Sequence, residues 1–274
     1  MSARSDIRTD PLSTRRVLLF AAHFSDEFSV AATLRAHVAR GESVFISWYA
    51  RDDRPDVGVR RAAEAREAAA LIGIPSERLE FADLSPVALL EQLPALVLAL
   101  RDTVARVAPD LVYVPAFEGG HPDHDALNFA AFEAASSTGI ETREFPLYSA
   151  SPDRRFFRRL QSFARFIPGA GDTQVRRLNP AEVRFKRELW ALYRTQHPHF
   201  DRLVRRSGDE REFFTTEKTR PLPLRDYTKP PHERPLLYEL QAGELPYTFE
   251  EFADKVRHYL WTGGLPDDDV SGEL

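Results

Sequence analysis

Val17–Ala22 (VLLFAA), Ser43–Ala50 (SVFISWYA) and Asp110–Ala116 (DLVYVPA) carry runs of consecutive apolar residues rather than apolar residues at alternate positions. A strand with one wet face alternates polar and apolar residues, so unbroken apolar runs require burial on both faces. Between these runs lie segments of helical periodicity. They are about Asp26 to Arg40, stopped by Gly41; the alanine-rich Arg60–Ile72, stopped by Gly73; Pro86–Ala108; and about Asp123 to Ser136. Leu79–Leu84 and Arg143–Ser149 read as further strands. Strand and helix in alternation predict an α/β, Rossmann-like, mostly parallel sheet with helices on both faces and right-handed crossovers.

Beyond Ala150 the pattern changes. A basic and aromatic segment, Asp153–Phe166, precedes a clear helix from about Pro180 to Arg194. Pro221 to Pro246 is proline-rich and reads as ordered loop wrapping the domain, and Glu250–Trp261 is a last amphipathic helix before an acidic tail. The expected organisation is a loose N-terminus (1–15), a Rossmann-like unit (16–200) and a C-terminal loop-rich and helical extension (201–274) packed on the same domain.

Composition removes several classes. With no cysteine, disulfides and thiolate ligands are excluded, and any bound zinc must use His, Asp or Glu. A formal net charge of −5 argues against a nucleic-acid partner. Pro86–Ala108, the most apolar stretch, is interrupted by Glu91, Pro94, Arg101, Asp102 and Arg106, which fits a buried helix rather than a membrane span. The polar N-terminus lacks the apolar core of a secretory signal, and the expected location is cytoplasmic.

In doubly wound sheets, ligands bind at the carboxyl ends of strands. The loop after the first strand, AAHFSDEF, has no glycine and so cannot be the turn that brings a backbone against a pyrophosphate. It offers His23 and Asp26, spaced so that both can aim at one point. The loop after Asp110–Ala116, EGGHPDHDALN, offers His121, Asp123 and His124. One histidine at a strand end is more often a hydrogen-bonded or capping residue than a ligand. Two such loops in one sheet can instead bring two imidazoles and a carboxylate together with room for water, the usual form of catalytic zinc.

The His-x-x-Asp-Glu of His23, Asp26 and Glu27 and the HPDH of residues 121–124 resemble the two signatures of the PIG-L/LmbE-like zinc-dependent N-deacetylases. Arg61-x-x-Glu64 with Leu71-Ile72-Gly73, and Lys186 with Tyr193-x-Thr195-Gln196, resemble two further family motifs in the same order. The resemblance implies one zinc or other divalent ion held by His23, Asp26 and His124. It implies removal of an N-acetyl group from an amino sugar or related small molecule, such as an N-acetylglucosamine-type glycoside. His121 matches the histidine given the acid or oxyanion role, Asp123 the aspartate that orients it, and Arg61 an arginine that reaches substrate.

The first signature departs from the family's HPDDE. Phe24 replaces proline, and Ser25 replaces the aspartate assigned as general base. Loss of a general base costs on the order of 100- to 10,000-fold in rate. Serine is also a good helix N-cap. The chain is then an active hydrolase using another carboxylate (Glu27, Glu118, Asp123 or Asp52) or the metal's own hydroxide. Otherwise it is a repurposed metal-binding homologue that binds a ligand without cleaving it, or a fold relic without metal.

Arg154, Arg155, Arg158, Arg159 and Arg165, interleaved with phenylalanines, read as an amphipathic helix with a solvated basic face, or else as an anion-binding flank of the crevice. His197-Pro-His199 fits a helix-ending turn. His37, His232 and His258 stand without partners and have no assigned role. No serine sits in a GxSxG-like turn, which argues against a serine hydrolase. The Pro-rich C-terminal part is suited to cover the crevice or to form a homo-oligomer interface.

Overall fold

The computed structural model describes residues 14–50, 54–84, 88–135, 138–150, 161–167, 171–198, 201, 210–241 and 247–264. Five strands are mutually parallel: β1 (Arg16–Ala21), β2 (Ser43–Ala50), β3 (Leu79–Leu84), β4 (Leu111–Pro115) and β5 (Glu141–Phe145). Two more, β8 (Gln174–Arg177) and β9 (Thr216–Pro221), extend the sheet antiparallel to give the order β3-β2-β1-β4-β5-β9-β8. The expected α/β, Rossmann-like, mostly parallel sheet is what the chain forms. A separate two-stranded ribbon pairs β6 (Tyr148–Ala150) with β7 (Gln161–Phe163).

The unbroken apolar runs have a direct cause. Successive side chains of β1 point to opposite faces. Val17, Leu19 and Ala21 enter one core with α1 (Ala31–Ala39), α2 (Pro55–Ile72) and α5 (Pro180–Leu192). Leu18, Phe20 and Ala22 enter another with α3 (Leu93–Val107), α4 (Pro122–Ala135) and α8 (Phe249–Thr262). Both faces are covered, so no position from Val17 to Ala22 can be polar without loss. Each fully buried Leu, Val or Phe contributes about 1.5–3 kcal/mol over leaving it exposed. On α2, Ala65, Ala68 and Ala69 are buried, and their small side chains let the helix lie close to the sheet. Gly73 stops α2 at a φ of 99°, where a side chain would be strained.

The structure departs from the sequence reading in four places. The segment from Asp26 to Arg40 is a 3-10 turn, Asp26–Val30, followed by α1. The break is sealed from a distance, because the Glu217 carboxylate of β9 accepts the amides of Ala32 and Thr33 at 2.7 Å each. Likewise α3 begins only at Leu93, after a 3-10 turn over Leu89–Gln92. Strands β8 and β9 were not expected, because their residues (QVRR and TEKTRP) carry charges that read as surface. Those charges are satisfied by ion pairs: Arg220 Nε donates to Glu144 Oε1 at 2.6 Å, and Lys186 Nζ lies 3.4 Å from Glu217. The basic segment is not the expected helix where it is described, since Gln161–Phe163 is strand; Arg154, Arg155, Arg158 and Arg159 lie outside the described residues. Arg165 pairs with Glu212 at 2.6 Å. Two further helices among the described residues, α6 (Glu210–Thr215) and α7 (Leu237–Leu240), are short.

In this order β1 lies between β2 and β4, so the chain leaves β1 in opposite directions. That is the topological switch point, and the crevice opens outside the carboxyl ends of β1 and β4. No described helix is long and apolar enough to cross a membrane.

Candidate metal centre

Both histidine loops start at these two strand ends. Asp26 folds back on its own loop, and its Oδ2 accepts the amides of Ala22 and His23 at 2.9 Å each. Its other oxygen, Oδ1, is thereby left 3.3 Å from His124 Nε2. His23 Nδ1 is 3.1 Å from the same nitrogen. The three atoms form a cluster of metal-ligating groups with Asp26 and His124 buried and His23 half-buried. Two ligands at zinc bond lengths and tetrahedral angle lie about 3.3 Å apart. The donor set and its spacing therefore fit a divalent ion held by His23, Asp26 and His124.

Asp123 fixes which nitrogen of His23 faces that cluster. Its Oδ2 is 3.0 Å from His23 Nε2, and its Oδ1 accepts the Leu89 amide at 2.7 Å. A carboxylate on the far nitrogen holds a ligating imidazole in its tautomer, with Nδ1 free to donate its lone pair. Burial pulls the His23 imidazole down, but the Asp123 hydrogen bond and the charges of Asp123 and Asp26 outweigh it and leave His23 raised. Burial pushes the Asp26 carboxyl up, yet His124 and His23 hold it below its ordinary value. Asp123 is held at about 2 by His23 and His121 against the same penalty.

His121 lies beside this group, its ring centroid 4.6 Å from that of His23. Its Nδ1 accepts the Asp123 backbone amide at 3.0 Å, which leaves the ring proton on Nε2. Its Nδ1 is 3.8 Å from the Asp123 carboxylate, so the backbone of Asp123, rather than its side chain, makes the hydrogen bond that orients His121. Burial, opposed by Asp123, drives the His121 pKa down to about 3 and keeps the ring neutral. Arg61 on α2 acts on the site through its charge, which lowers His23.

The remaining motif residues build the frame of the first loop. Glu27 is fully buried and accepts from Tyr193 Oη (2.7 Å), the Ser25 amide (3.1 Å) and Trp48 Nε1 (3.2 Å). Gln196 donates to the Phe24 carbonyl at 3.1 Å. Glu64 accepts from the amide and hydroxyl of Thr195 at 3.0 and 2.6 Å. Lys186 lies 4.3 Å over the Phe28 ring.

Several expectations change here. Ser25 does not cap the helix with its side chain; it sits in the left-handed region at φ 87° with no side-chain cap bond. Glu27 is committed to three donors and is no spare base. Glu118 is buried, and its Oε1 accepts the Leu147 amide at 2.7 Å. Asp52 and His199 lie outside the described residues. His37 is not partnerless: it bonds Glu42, and its Nε2 is 3.1 Å from Tyr113 Oη. His232 Nδ1 lies 2.7 Å from the Glu233 carbonyl, and the His258 ring packs near Trp261. His197 donates to the Trp190 carbonyl and stacks on its ring, consistent with a turn.

Sequence reasoning missed Tyr148. Its ring meets that of His124 edge-on at 5.4 Å, and its backbone carbonyl presses on Gly120. Burial and the charges of Asp26, Asp123, Glu118 and Asp125 raise its phenol well above the ordinary value, so it stays a hydrogen-bond donor. A tyrosine next to a strand-end leucine reads as core, and no motif marks it. The Pro-rich segment closes the other side: Leu236 is buried against Gly119, whose carbonyl accepts the Leu237 amide at 2.9 Å.

Comparison with known proteins agrees with this arrangement. The family model described as PIG-L, GlcNAc-PI de-N-acetylase, matches residues 18–135. The fold is similar to that of the A40926 pseudoaglycone deacetylase (TM-score 0.58, 20% identity, 76% of this chain and 97% of that one). It is similar to a zinc-inhibited form of teicoplanin deacetylase (TM-score 0.57, 17% identity, 75% and 97%). It is also similar to the 4-carboxy-2-hydroxymuconate hydratase of Pseudomonas putida KT2440 (TM-score 0.50, 15% identity, 81% and 100%). No curated protein gives a significant match. Residues 18–135, which hold both histidine loops and all three candidate ligands, are the part of the chain that is similar to the PIG-L family.

Proposed function

We propose that the protein is a metal-dependent N-deacetylase acting on an amino sugar or a small glycoside that carries one. The observation behind this reading is the convergence of His23 Nδ1, Asp26 Oδ1 and His124 Nε2 at the switch point, with His121 and Asp123 alongside. The match to the PIG-L family model and the similar fold of the teicoplanin and A40926 pseudoaglycone deacetylases support the substrate class.

A divalent ion held there supplies Lewis acidity toward the amide carbonyl and makes a water acidic enough to attack. His121, neutral with its proton on Nε2, donates a hydrogen bond to the carbonyl oxygen as it gains charge and supplies a proton to the departing amine. Asp123 keeps His23 in the ligating tautomer. With serine at position 25, it is also, among the described residues, a non-ligand carboxylate in direct contact with a candidate ligand. Asp123 then takes the proton from water, although its oxygens already accept from His23 and from the Leu89 amide, a competition that makes the enzyme slow. Arg61 binds the polar end of the substrate.

A second reading is a repurposed homologue that binds a glycoside without cleaving it. The loss of the carboxylate at Ser25 favours it, as does the commitment of Glu27 and Glu118 to other partners. That a hydratase shares the fold shows the scaffold alone does not fix the reaction. Release of acetate from N-acetylglucosamine glycosides, measured for metal-loaded wild type and Ser25→Asp, separates the two. Slow metal-dependent turnover by wild type, raised on the order of 100-fold or more in Ser25→Asp, is expected. Turnover by Ser25→Asp alone would leave the binding-protein reading standing.

A further inference from the structure

The two sides of the crevice differ in chemistry. On the β4 side His121, Asp123 and Tyr148 stand against the cluster, and Leu236 packs on Gly119. On the β2 side the chain sets aromatic rings. Phe24 follows His23 directly, and its ring centroid is 5.9 Å from that of Trp48 and 5.7 Å from that of Phe81. Trp48 and Phe81 sit in register on β2 and β3 and stack at 5.0 Å. Trp48 is buried and donates its Nε1 proton to Glu27, and the Arg66 guanidinium lies 4.3 Å from the Phe81 centroid. These neighbours make a fixed backing for Phe24, whose own carbonyl is held by Gln196. Phe24 meets both rings at a tilt, 53° to Trp48 and 49° to Phe81, so neither stacks on a face of it. Its side chain is only half-buried.

We infer, resting on the deacetylase reading above, that Phe24 is a specificity-determining residue that selects amino-sugar glycosides carrying a flat, apolar aglycone. That reading seats the substrate's amide at His23, Asp26 and His124. Adjacent Cα atoms lie about 3.8 Å apart, so a molecule in contact with an ion on His23 is within reach of the next side chain. The groups that act on the amide stand on the β4 side, which leaves the β2 side for the rest of the molecule. Ligand sites are mostly apolar, with a few polar groups that fix orientation, and this crevice divides in the same way. A ring laid against Phe24 removes apolar area from water and makes the offset or edge-on contact that aromatic pairs favour. A methyl aglycone makes neither contact to the same extent.

Isothermal titration calorimetry of the zinc-loaded full chain with phenyl and methyl glycosides of glucosamine tests this without relying on turnover. Both probes carry the free amine, so neither is consumed. Wild type is expected to bind the phenyl glycoside about 10-fold more tightly than the methyl one. Phe24→Ala is expected to bring the two affinities to within about 2-fold of each other by weakening the phenyl glycoside alone. Phe24→Leu keeps apolar volume over Trp48 and guards against loss of the fold; it is expected to show an intermediate preference, again with the methyl glycoside unchanged. Wild type that binds neither probe would sink the amino-sugar reading itself. Equal binding of the two by wild type, or a phenyl preference that survives in Phe24→Leu and Phe24→Ala, would overturn this inference and leave that reading intact. Equal weakening of both probes in the variants would also overturn it, because Phe24 would then serve only the frame of the loop.

Discussion

Tyr193 Oη donates a 2.7 Å hydrogen bond to Glu27 Oε1 and so ties the end of α5 to the loop that presents His23 and Asp26. Both residues are fully buried, and the same carboxylate accepts the Ser25 amide that follows the first histidine. The loop is therefore positioned by a residue far along the chain rather than by its own sequence.

Removing that tie should weaken both the fold and the site. Tyr193→Phe leaves the ring in place but deletes a buried donor, which costs about 1–3 kcal/mol. A urea titration should show the midpoint shift without a change in slope. Zinc affinity should drop in parallel; an unchanged affinity would mean that Glu27 does not hold the ligand loop.

Gly120 admits no side chain. A Cβ built there would lie 1.8 Å from the backbone carbonyl oxygen of Tyr148, which cannot move without moving β6. Gly120→Ala is expected to destabilise the protein by about 1–3 kcal/mol or more. The displacement should also change the environment of His121 and His124, seen as shifted imidazole NMR signals.

Glu217 caps α1 and faces Lys186, with both side chains buried. Glu217→Ala strands the Lys186 charge and leaves the Ala32 and Thr33 amides unmet, at a cost of about 3–5 kcal/mol. Adding Lys186→Met should recover part of the loss in thermal melts. A double variant no more stable than the single one would assign the penalty to the helix cap alone.

Burial raises the Glu118 carboxyl from 4.5 to about 8, opposed by the Leu147 amide. The folded state thus binds this proton more tightly than the unfolded chain does. Its contribution is fully present below about pH 4.5 and is lost as pH rises toward 8. Chelator-treated protein should lose stability between pH 5 and 8, and Glu118→Gln should flatten that slope. An identical slope in the variant would place the dependence elsewhere.

Much of this was legible in the sequence, for reasons that can be stated. β1, β2 and β4 are packed on both faces, and that need writes itself as continuous apolar runs. The two histidine loops are short, local and set at strand ends, so their residues meet as their spacing suggested. β8 and β9 were not legible, because Arg220 and Glu217 are placed by partners distant in sequence: Glu144 from β5 and Lys186 from α5. Tyr148 was missed for a related reason. Its closeness to His124 follows from β6 passing over Gly120, a contact that no local pattern encodes. The part played by Asp123 also changed: its side chain bonds His23, and its backbone bonds His121.

The central claim is that His23, Asp26 and His124 hold one divalent ion. Metal content of protein dialysed against a single equivalent of zinc, measured by mass spectrometry for wild type, Asp26→Ala and His124→Ala, tests it directly. The account predicts an ion retained by wild type and lost from both variants, with their circular dichroism unchanged. Wild type without metal, or an ion kept by both variants, would contradict it.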